Sequence, residues 1–569
     1  MIPSPTRIRE LLGEYKTLLI LASAAALAEL AYSVLNLSGM PMYVDKTLRA
    51  GAYWGYIFGT FLAVEALSRT PLGVLGDRIG RKPLMLAGPL ITAVTSYLTI
   101  CYTGPYVVPY LIGLRVLDGL GSGALWMNAF AAVGDVVSEK HGSAAMSVLN
   151  VTYMGGMALG LLLGGVVNDH FHTLTASFYL ASALFVLAFL ILLIFFPSGK
   201  PHHSGILDHK AAPDFKLSHI IRSFKEVPDM VVMAVVTFLG MGMLTPIVKL
   251  YAVNHLGLQE TQFGWAVAPI ALAMGIFAVP LGHLGDKYGK STAVCWGLFA
   301  SAVAMWILAI YKLLFLVAIA GILIGLGFTV AFPAWNALVI SSTSANRRGE
   351  VLGTVGLAQG LAAWIGALLG PLIYFSDALS FPRLGIVNYN LPFWLSAISI
   401  SIGTVICFTW VCRRRAVDDP GERITLRQRR IVIALSIIGF LCLSGWIGYR
   451  YTMPVPPDRV AWSWIQQLAR KKPPEALKFS LMEAPGWNGP EVAAAQAKDY
   501  HKWVYEKRAG YAVGVPQILS ETRAEVGVKF IFPGNEPEPI YQTITLCRRA
   551  KGQEWRVCGV GSADNGVAP

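Results

Sequence analysis

The sequence predicts an all-α polytopic membrane protein: two six-helix halves in a 12-helix fold, one extra transmembrane helix and a small α+β carboxyl-terminal domain. Three observations lead to this prediction. Of 569 residues, 55% are hydrophobic and 14% charged, with mean hydropathy +0.55, whereas soluble domains carry about 25% charged residues. Apolar windows of about 20 residues, enough to cross a bilayer, recur along the chain. A turn sequence also occurs twice, once in each half.

About twelve apolar windows precede residue 415, six on each side of a polar linker. The windows lie near 17–43, 52–76, 84–103, 106–134, 144–167, 174–197, 229–253, 262–284, 291–311, 313–341, 351–375 and 391–412. This pattern divides the chain into a first half (1–197), a linker (198–228), a second half (229–415), a basic linker (416–430), an extra span (431–449) and a tail domain (450–569).

The basic residues predict the orientation of the chain in the membrane. The net charge is +13, but Lys and Arg form short clusters between apolar runs and no basic and aromatic face, which argues against nucleic-acid binding. One set of alternate loops holds most of them, and the other holds little beyond Lys46, Arg49, Lys312 and Arg383. The positive-inside rule therefore places the amino terminus in the cytoplasm. No cleavable signal peptide is evident, and the plasma membrane, of the bacterial inner-membrane kind, is the expected location.

The repeated turn reads PLGVLGDRIGRK at 71–82 and PLGHLGDKYGKS at 280–291. Both copies keep the proline, three glycines, the aspartate and two basic positions. Both also fall on the side predicted to be cytoplasmic. The shared positions singled out are Gly73, Asp77, Arg78, Gly80 and Arg81 in the first copy, and Gly282, Asp286, Lys287, Gly289 and Lys290 in the second.

Two six-helix halves, each with this turn between its second and third helices, resemble the major facilitator superfamily of transporters over roughly residues 10 to 415. The resemblance implies a cytoplasmic gate, in which Asp77 meets a helix amino terminus of the opposite half and Arg81 reaches Asp135. A carboxylate gains roughly 0.3 to 1 kcal/mol at such a terminus. The second copy has no acid in the stretch ISSTSANRRGE that corresponds to Asp135, so the first copy is expected to matter more.

Five charged residues lie inside predicted spans of the first half, and intramembrane charges are functional by default. By helix rise, Glu29, Glu65 and Asp118 fall near mid-depth, where one cavity can contain all three. The spacing also allows ion pairs between Glu65 and Arg69 and between Arg115 and Asp118. Such pairs can serve the structure alone, with no function in transport. These residues are the candidates for proton coupling: Glu29, Glu65, Arg69, Arg115 and Asp118.

Three further motifs bear on mechanism. The run RVLDGLGSG resembles a fourth-helix motif of the proton-driven members of the family, which implies that the arginine tunes a titrating acid. GMALGLLLGG resembles the glycine-rich antiporter motif but has Leu161 in place of its proline, and tight helix packing explains the glycines equally well. An internal echo of WMNAF and AWNAL predicts cavity residues on matching helices, namely Trp126, Asn128, Trp335 and Asn336, although packing is the alternative.

Signals for other chemistry are weak. The chain has no phosphate-binding loop of the ATPase type, and the tail has no nucleophile and base set, its only histidine being His501. An enzyme is therefore not expected, nor is any cofactor. Loop histidines without cysteines are more often solvated than metal-bound, and no metal site is assigned.

The tail follows the predicted extra span IVIALSIIGFLCLSGWIGY, which would carry it outside the cell. Two helices (AWSWIQQLAR and EVAAAQAKDYHKWVYEK) and three strands (AEVGVKFIF, IYQTITLC and EWRVCGV) are predicted. Helices followed by a meander resemble the cone-shaped NTF2-like domains. With a tight turn at Gly552 and Gln553, Cys547 is expected directly opposite Cys558, where a disulfide is feasible in an oxidising compartment.

Together these features favour a proton-coupled secondary active transporter that exports a small amphipathic molecule. The expected partners are the substrate, protons and the lipid bilayer, with a further extracytoplasmic partner possible for the tail. Proton-coupled uptake of a nutrient is the alternative within transport. A transporter-like sensor that signals through its outer domain is the alternative of another class, but the repeated turns and buried acids argue against it.

Overall fold

The computed structural model describes residues 5–136, 142–197, 227–267, 288–311, 314–342, 348–376, 388–412, 455–469, 496–506, 510–531 and 540–562, except 515 and 552, and a few isolated positions. The side chains of 5–15 and 134–148 are not part of this description. Most of the predicted window 262–284, the linkers 198–226 and 416–430, and all of the predicted extra span 431–449 except Ala434 lie outside the described residues.

Six long helices form the first half. They are α1 (Pro5–Ser33), α2 (Trp54–Ile79), α3 (Arg81–Thr99), α4 (Val107–Val136), α5 (Gly142–Phe171) and α6 (Ala176–Phe195). Beyond Ser33, α1 continues through π-helical turns at Val34–Gly39 and Tyr43–Thr47. Helix α4 packs between α2 and α3, and α1 packs on α5 and α6. Small residues permit this packing: a Cβ on Gly88 of α3 would lie 2.6 Å from the carbonyl oxygen of Gly121 in α4.

The described part of the second half packs in a similar way. Its described helices are α7 (Pro228–Leu244), α8 (Val248–His255), α9 (Lys290–Ile310), α10 (Leu314–Ser341), α11 (Arg348–Tyr374) and α12 (Leu391–Ile406), the last continued by a π-helical turn at Cys407–Val411. Helices α7 and α8 together form one span. A Cβ on Gly297 of α9 would lie 2.5 Å from the carbonyl oxygen of Gly327 in α10. This contact is the counterpart of the one between Gly88 and Gly121, so the two halves repeat in packing as well as in sequence.

Eight helices in the described part of the chain are long and apolar enough to cross a membrane. The predicted windows near 52–76, 84–103 and 144–167 also form helices, of 19 to 30 residues. The mostly helical, multiple-span architecture expected from the sequence is therefore present, and a small carboxyl-terminal sheet region accompanies it.

The tail contains helix α13 (Pro457–Ala469) and an antiparallel sheet of β1 (Gly510–Val513), β2 (Gln517–Ser520), β3 (Arg523–Ile531), β4 (Ile540–Cys547) and β5 (Arg556–Ser562). The strands follow the order β1-β3-β4-β5, and β2 also pairs with β3. Helix α13 places Val460, Trp464 and Leu468 on one buried face against this sheet. Residues 496–500 and a π-helical turn at His501–Glu506 add Tyr500, which rests against Phe530.

The predicted register of the last hairpin is wrong, although the structure places a disulfide between its two cysteines. Cys547 lies opposite Arg556, not Cys558, and Leu546 lies opposite Val557. The next residue of β4, Thr545, pairs with Gly559, so Cys558 is an extra residue without a partner in the ladder. This bulge shifts the register of the hairpin. The connection between the strands is therefore longer than the two-residue turn that was predicted. The two Cα atoms remain 5.8 Å apart, a normal separation for a disulfide.

Candidate functional site

The two repeated turns have the same backbone conformation. Gly80, between α2 and α3, has φ 99° and ψ 154°, and Gly289, before α9, has φ 95° and ψ 138°. Residues other than glycine rarely adopt such positive φ angles. The last shared glycine of each copy is therefore required to end one helix and start the next. We call the end of the bundle that carries Gly80 and Gly289 the turn end, and the opposite end the far end.

Gly76 of the first turn is in close contact with Asn128 of α4. A Cβ on Gly76 would lie 1.8 Å from Oδ1 of Asn128, so even alanine would displace the amide. Asn128 is fully buried and donates a 2.8 Å hydrogen bond to the carbonyl oxygen of Ala124. In this conformation the Asn128 side chain packs beneath the turn between α2 and α4, and its place in a substrate cavity stays a prediction.

Two charged residues of the first turn are in contact with each other. Asp77 forms a 2.5 Å ion pair with Arg81, and the Asp77 side chain is 54% exposed. Arg81 also donates a 3.4 Å hydrogen bond to the carbonyl oxygen of Gly73, whereas Arg78 is exposed and Lys290 is half-buried. Four predicted gate positions lie outside the described residues: the Asp135 side chain, Gly282, Asp286 and Lys287. In this conformation the Asp77 carboxylate is accessible from the turn end.

We expect Asp77→Asn to lower transport about tenfold, equivalent to about 1.4 kcal/mol, with little effect on stability. A half-exposed ion pair contributes about 0–1 kcal/mol, so a larger loss of flux must come from a contact made in another conformation. The measurement is flux at matched protein levels in membrane vesicles. Asp286→Asn in the second copy is the matched control and should cost less, and equal losses from the two variants would contradict the asymmetry.

A group built around two carboxylates, which we call the acid cluster, lies between α1, α2 and α5. It consists of Glu29, Glu65, Arg69 and Tyr153. Glu29 is 6% exposed and accepts a hydrogen bond from Tyr153. Glu65 forms a 2.7 Å ion pair with Arg69, whose side chain is 56% exposed. The pair therefore reaches an accessible surface, whereas Glu29 is enclosed and close enough to Glu65 for the two carboxylates to interact.

A second charged group is buried completely within the first half. Arg115 and Asp118 of α4 form an ion pair, and both side chains have 0% exposure. Arg115 also donates a 2.9 Å hydrogen bond to Asn36, in the π-helical continuation of α1. Thr95 of α3 donates a hydrogen bond to Asp118. These bonds connect three helices of one half.

Glu29 and Glu65 lie together in the acid cluster, and Asp118 pairs with Arg115 next to Thr95 of α3. One cavity for all three acids stays a prediction. Tyr32 lies between the groups: its hydroxyl is 3.1 Å from that of Thr92, and it interacts electrostatically with both Asp118 and Glu65.

The tryptophans predicted to line a cavity are buried among helices in this conformation. Trp126 is 4% exposed and contacts Tyr153 edge-on, with ring centroids 4.9 Å apart. Trp335 is also 4% exposed and belongs to an apolar core of the second half, whereas Asn336 beside it is half-buried. Trp126 thus supports the acid cluster through Tyr153.

A polar network joins the two halves at the far end, and the sequence analysis missed it. Lys249 of α8, only 2% exposed, forms a 2.7 Å ion pair with Glu260. It also donates hydrogen bonds of 2.7 and 2.9 Å to the carbonyl and hydroxyl oxygens of Ser38 in the first half. Asn168 of α5 donates to Glu260 at 3.1 Å. These four residues, Ser38, Asn168, Lys249 and Glu260, are the far-end network.

Further contacts between the halves lie at the same end. Trp54, at the start of α2, donates a 2.7 Å hydrogen bond to the carbonyl oxygen of Pro246. The backbone N–H of Thr261 donates to Asp169 at 2.8 Å. Because Trp54 and Gly80 are at opposite ends of α2, about 39 Å apart by helix rise, these bonds close the far end while Asp77 at the turn end remains accessible.

The tail contacts the far end of the second half. Strand β1 packs against α8, and Arg459 of α13 donates a hydrogen bond to the hydroxyl of Tyr389. The Tyr389 ring stacks on that of His255, with centroids 3.9 Å apart and an angle of 16°. Burial alone would lower the pKa of Arg459, but Tyr389, Asp458 and Tyr251 raise it above its usual value. A charged guanidinium thus holds the tail on this end of the bundle.

Two matching helical halves, closed against each other at one end and with repeated glycine turns at the other, define a membrane transporter with a two-half architecture. The chain belongs to the Major Facilitator Superfamily, whose family model matches residues 21–229 and 230–468. The protein is therefore a multi-pass membrane transporter and not an enzyme.

Several relatives are drug-resistance proteins by name. The chain is 26% identical over 345 residues to the class B tetracycline resistance protein of Escherichia coli, covering 59% of this chain and 80% of that protein. It is 25% identical over 381 residues to the multi-drug resistance efflux pump PmrA of Streptococcus pneumoniae, covering 64% and 88%. A D-xylose-proton symporter structure superposes with TM-score 0.56 at 14% identity over 69% of this chain and 97% of that one, a likeness of fold alone.

Proposed function

We propose that this chain is a proton-coupled secondary active transporter that exports a small amphipathic organic molecule by alternating access. The observation that carries the proposal is the acid cluster, in which the enclosed Glu29 lies beside a second carboxylate and a phenol. A carboxylic acid in such a place can take up and release a proton. The efflux proteins among the relatives favour export.

Glu29 is the proton-binding residue in this mechanism. When Glu29 carries a proton, it no longer repels Glu65 and its hydrogen bond with Tyr153 becomes one between neutral groups. Tyr153 belongs to α5 and contacts Trp126 of α4. A proton on Glu29 therefore changes contacts among α1, α2, α4 and α5, which are the helices that must move together when one half rocks against the other.

Alternating access requires the far-end network to open when the turn end closes. Separating Lys249 from Glu260 and Ser38 costs the ion pair and its hydrogen bonds. Water that enters the opened cleft, and new contacts of Asp77 and Arg81 at the turn end, offset this cost. The proton and the substrate then need to supply only the remaining difference between the two conformations.

The direct test is proton movement in inverted membrane vesicles that hold an acid interior. Tetracycline and cationic amphipathic dyes are the first substrates to add, chosen from the named relatives. For an exporter, an added substrate should enter the vesicle and release internal protons, seen as a loss of the pH gradient. Vesicles without the protein are the control. Equal accumulation of substrate with and without the pH gradient would show that transport is not coupled to protons.

Two alternatives are distinguished by the same assay. A nutrient uptake symporter would move its substrate and protons out of the inverted vesicle together. A transporter-like sensor would show no flux with any compound and would signal through the tail. The acid cluster and the far-end network favour transport, because a sensor requires neither a coupling ion nor a closure that opens.

We also place the amino terminus in the cytoplasm and the tail outside the cell, at a bacterial inner membrane. The distribution of basic residues supports this orientation, as does the contact of the tail with the end opposite the basic turns. The layout of helix on sheet suits an NTF2-like cone, and such a domain can bind an extracytoplasmic partner.

Labelling of thiols tests the orientation of the tail. In intact cells, a membrane-impermeant maleimide is expected to label Cys547 and Cys558 only after reduction, because an external disulfide persists in an oxidising compartment. The background variant Cys101→Ser/Cys442→Ser removes two other thiols from the measurement. Labelling that requires permeabilised membranes would place the tail in the cytoplasm.

A further inference from the structure

Three cysteines that are far apart in the sequence converge inside the second half. Cys295 of α9 and Cys407 after α12 have no exposed surface, and Cys412 is 5% exposed. The Sγ atom of Cys295 is 2.8 Å from that of Cys407 and 2.6 Å from that of Cys412, and all three sulfur atoms lie within 4.8 Å of one another. We call these residues the three-cysteine cluster.

The π-helical turn at Cys407–Val411 builds this cluster. Residues five apart lie on different faces of an α-helix, whereas the bond of a π-turn joins residues i and i+5. Here the backbone N–H of Cys412 donates to the carbonyl oxygen of Cys407, so the turn is closed by the two cysteines themselves. Both thiols consequently face Cys295. π-turns of this kind occur frequently at functional sites.

We propose that Cys295, Cys407 and Cys412 bind one thiophilic metal ion, with Zn²⁺ or Cd²⁺ as the fitting class. Thiolates are the preferred ligands of soft and borderline cations. A disulfide, at about 2.05 Å between sulfurs, would use two thiols and leave the third. With metal–sulfur bonds of about 2.3 Å, bound sulfurs would lie about 3.8 Å apart, so the cluster must open by about 1 Å.

The surroundings favour a divalent ion. Val294, Trp335 and Phe408 belong to the same apolar core and exclude water from the sulfurs. Asp229, a carboxylate with 4% exposure, interacts electrostatically with Cys407. Three thiolates and a nearby carboxylate are all negatively charged. In an apolar region, a divalent cation neutralises more of this negative charge than a monovalent cation does. Binding therefore releases the thiol protons and retains the ion of higher charge.

The cluster lies at the turn end of the bundle. Cys295 is about 9 Å along α9 from Gly289, by helix rise, and Cys412 directly follows the π-helical turn that continues α12. An ion held there would join α9 to α12 near the side from which Asp77 is accessible. This placement predicts that the site loads from that side, and that loading stabilises the second half.

The experiment uses the full chain in the Cys101→Ser/Cys442→Ser background, purified metal-free and under anaerobic conditions without a thiol reductant, so that both the cluster and the tail disulfide are kept. Cd²⁺ is the probe. We expect about one Cd²⁺ per chain, a sulfur-to-metal charge-transfer absorption band, and a higher thermal unfolding midpoint. Cd²⁺ should also slow alkylation of three thiols, and EDTA should reverse all four effects. Cys295→Ser should reduce the bound Cd²⁺ from about one to near zero.

Two results would overturn the proposal. In the first, the background protein binds no Cd²⁺ while all three thiols alkylate when it is denatured. In the second, two of the three thiols do not alkylate even in metal-free protein. If dithiothreitol restores their reactivity and EDTA does not, the two thiols form a disulfide. If Cys295→Ser fails to fold, Cys412→Ser replaces it as the test variant. The EDTA measurement on the background protein tests metal binding without any substitution in the cluster.

Discussion

Glu29→Gln is expected to abolish substrate-driven proton movement while the protein remains folded and inserted. Glutamine keeps the size of the side chain and can still accept the hydrogen bond from Tyr153, but it cannot carry a titrating proton. Glu29 is only 6% exposed, so solvent cannot substitute for the missing acid. The measurement is loss of the pH gradient on substrate addition in inverted vesicles, with protein amount and thermal midpoint matched to the wild type.

Two variants make this prediction specific. Glu521→Gln changes an exposed carboxylate of the tail, 67% exposed, and should leave coupling unchanged. Glu65→Gln removes the counter-ion of Arg69 and should lower mainly the stability, because an arginine inside a membrane span then has no carboxylate partner. Full coupling in Glu29→Gln at normal expression would refute the assignment of Glu29.

The sequence predicted the plan of the membrane domain because that plan is periodic and repeated. The length of the apolar windows is set by the bilayer, and the two glycine turns mark equivalent joints of the halves. The structure adds that Gly80 and Gly289 have the same positive φ, which is the physical reason for their repetition. Local ion pairs could also be predicted, because residues four apart, such as Glu65 and Arg69, are neighbours on any α-helix.

Contacts between distant segments were not predictable from one sequence. Lys249 and Ser38 are separated by 211 positions, and the burial of Lys249 arises only when the halves close. The three-cysteine cluster depends on a π-helical turn, for which the run CFTWV gives no signal. In the same way, the bulge at Cys558 changed the register of a hairpin whose cysteines were correctly noted as neighbours. Each of these features depends on packing and not on periodicity.

Asp118→Asn is expected to be the most destabilising single substitution among the charged residues discussed here. It would leave Arg115 with 0% exposure and without its counter-ion, and breaking one side of a buried ion pair costs about 3–5 kcal/mol. The hydrogen bond from Thr95 to this carboxylate would also weaken. The measurement is the thermal unfolding midpoint in detergent, together with the amount of folded protein recovered from membranes.

A double substitution distinguishes the charge from the packing. Replacement of both members by apolar residues of similar size, Arg115→Met with Asp118→Leu, removes the uncompensated charge, and such exchanges are often neutral. The double variant should therefore be much more stable than Asp118→Asn, although Asn36, 2.9 Å from Arg115, loses a partner. An Asp118→Asn protein as stable as the wild type would show that Arg115 is compensated by another group. A stable double variant that has lost proton coupling would show that the Arg115–Asp118 pair takes part in coupling, because the packing at that position would then be intact and only the charged pair would be missing.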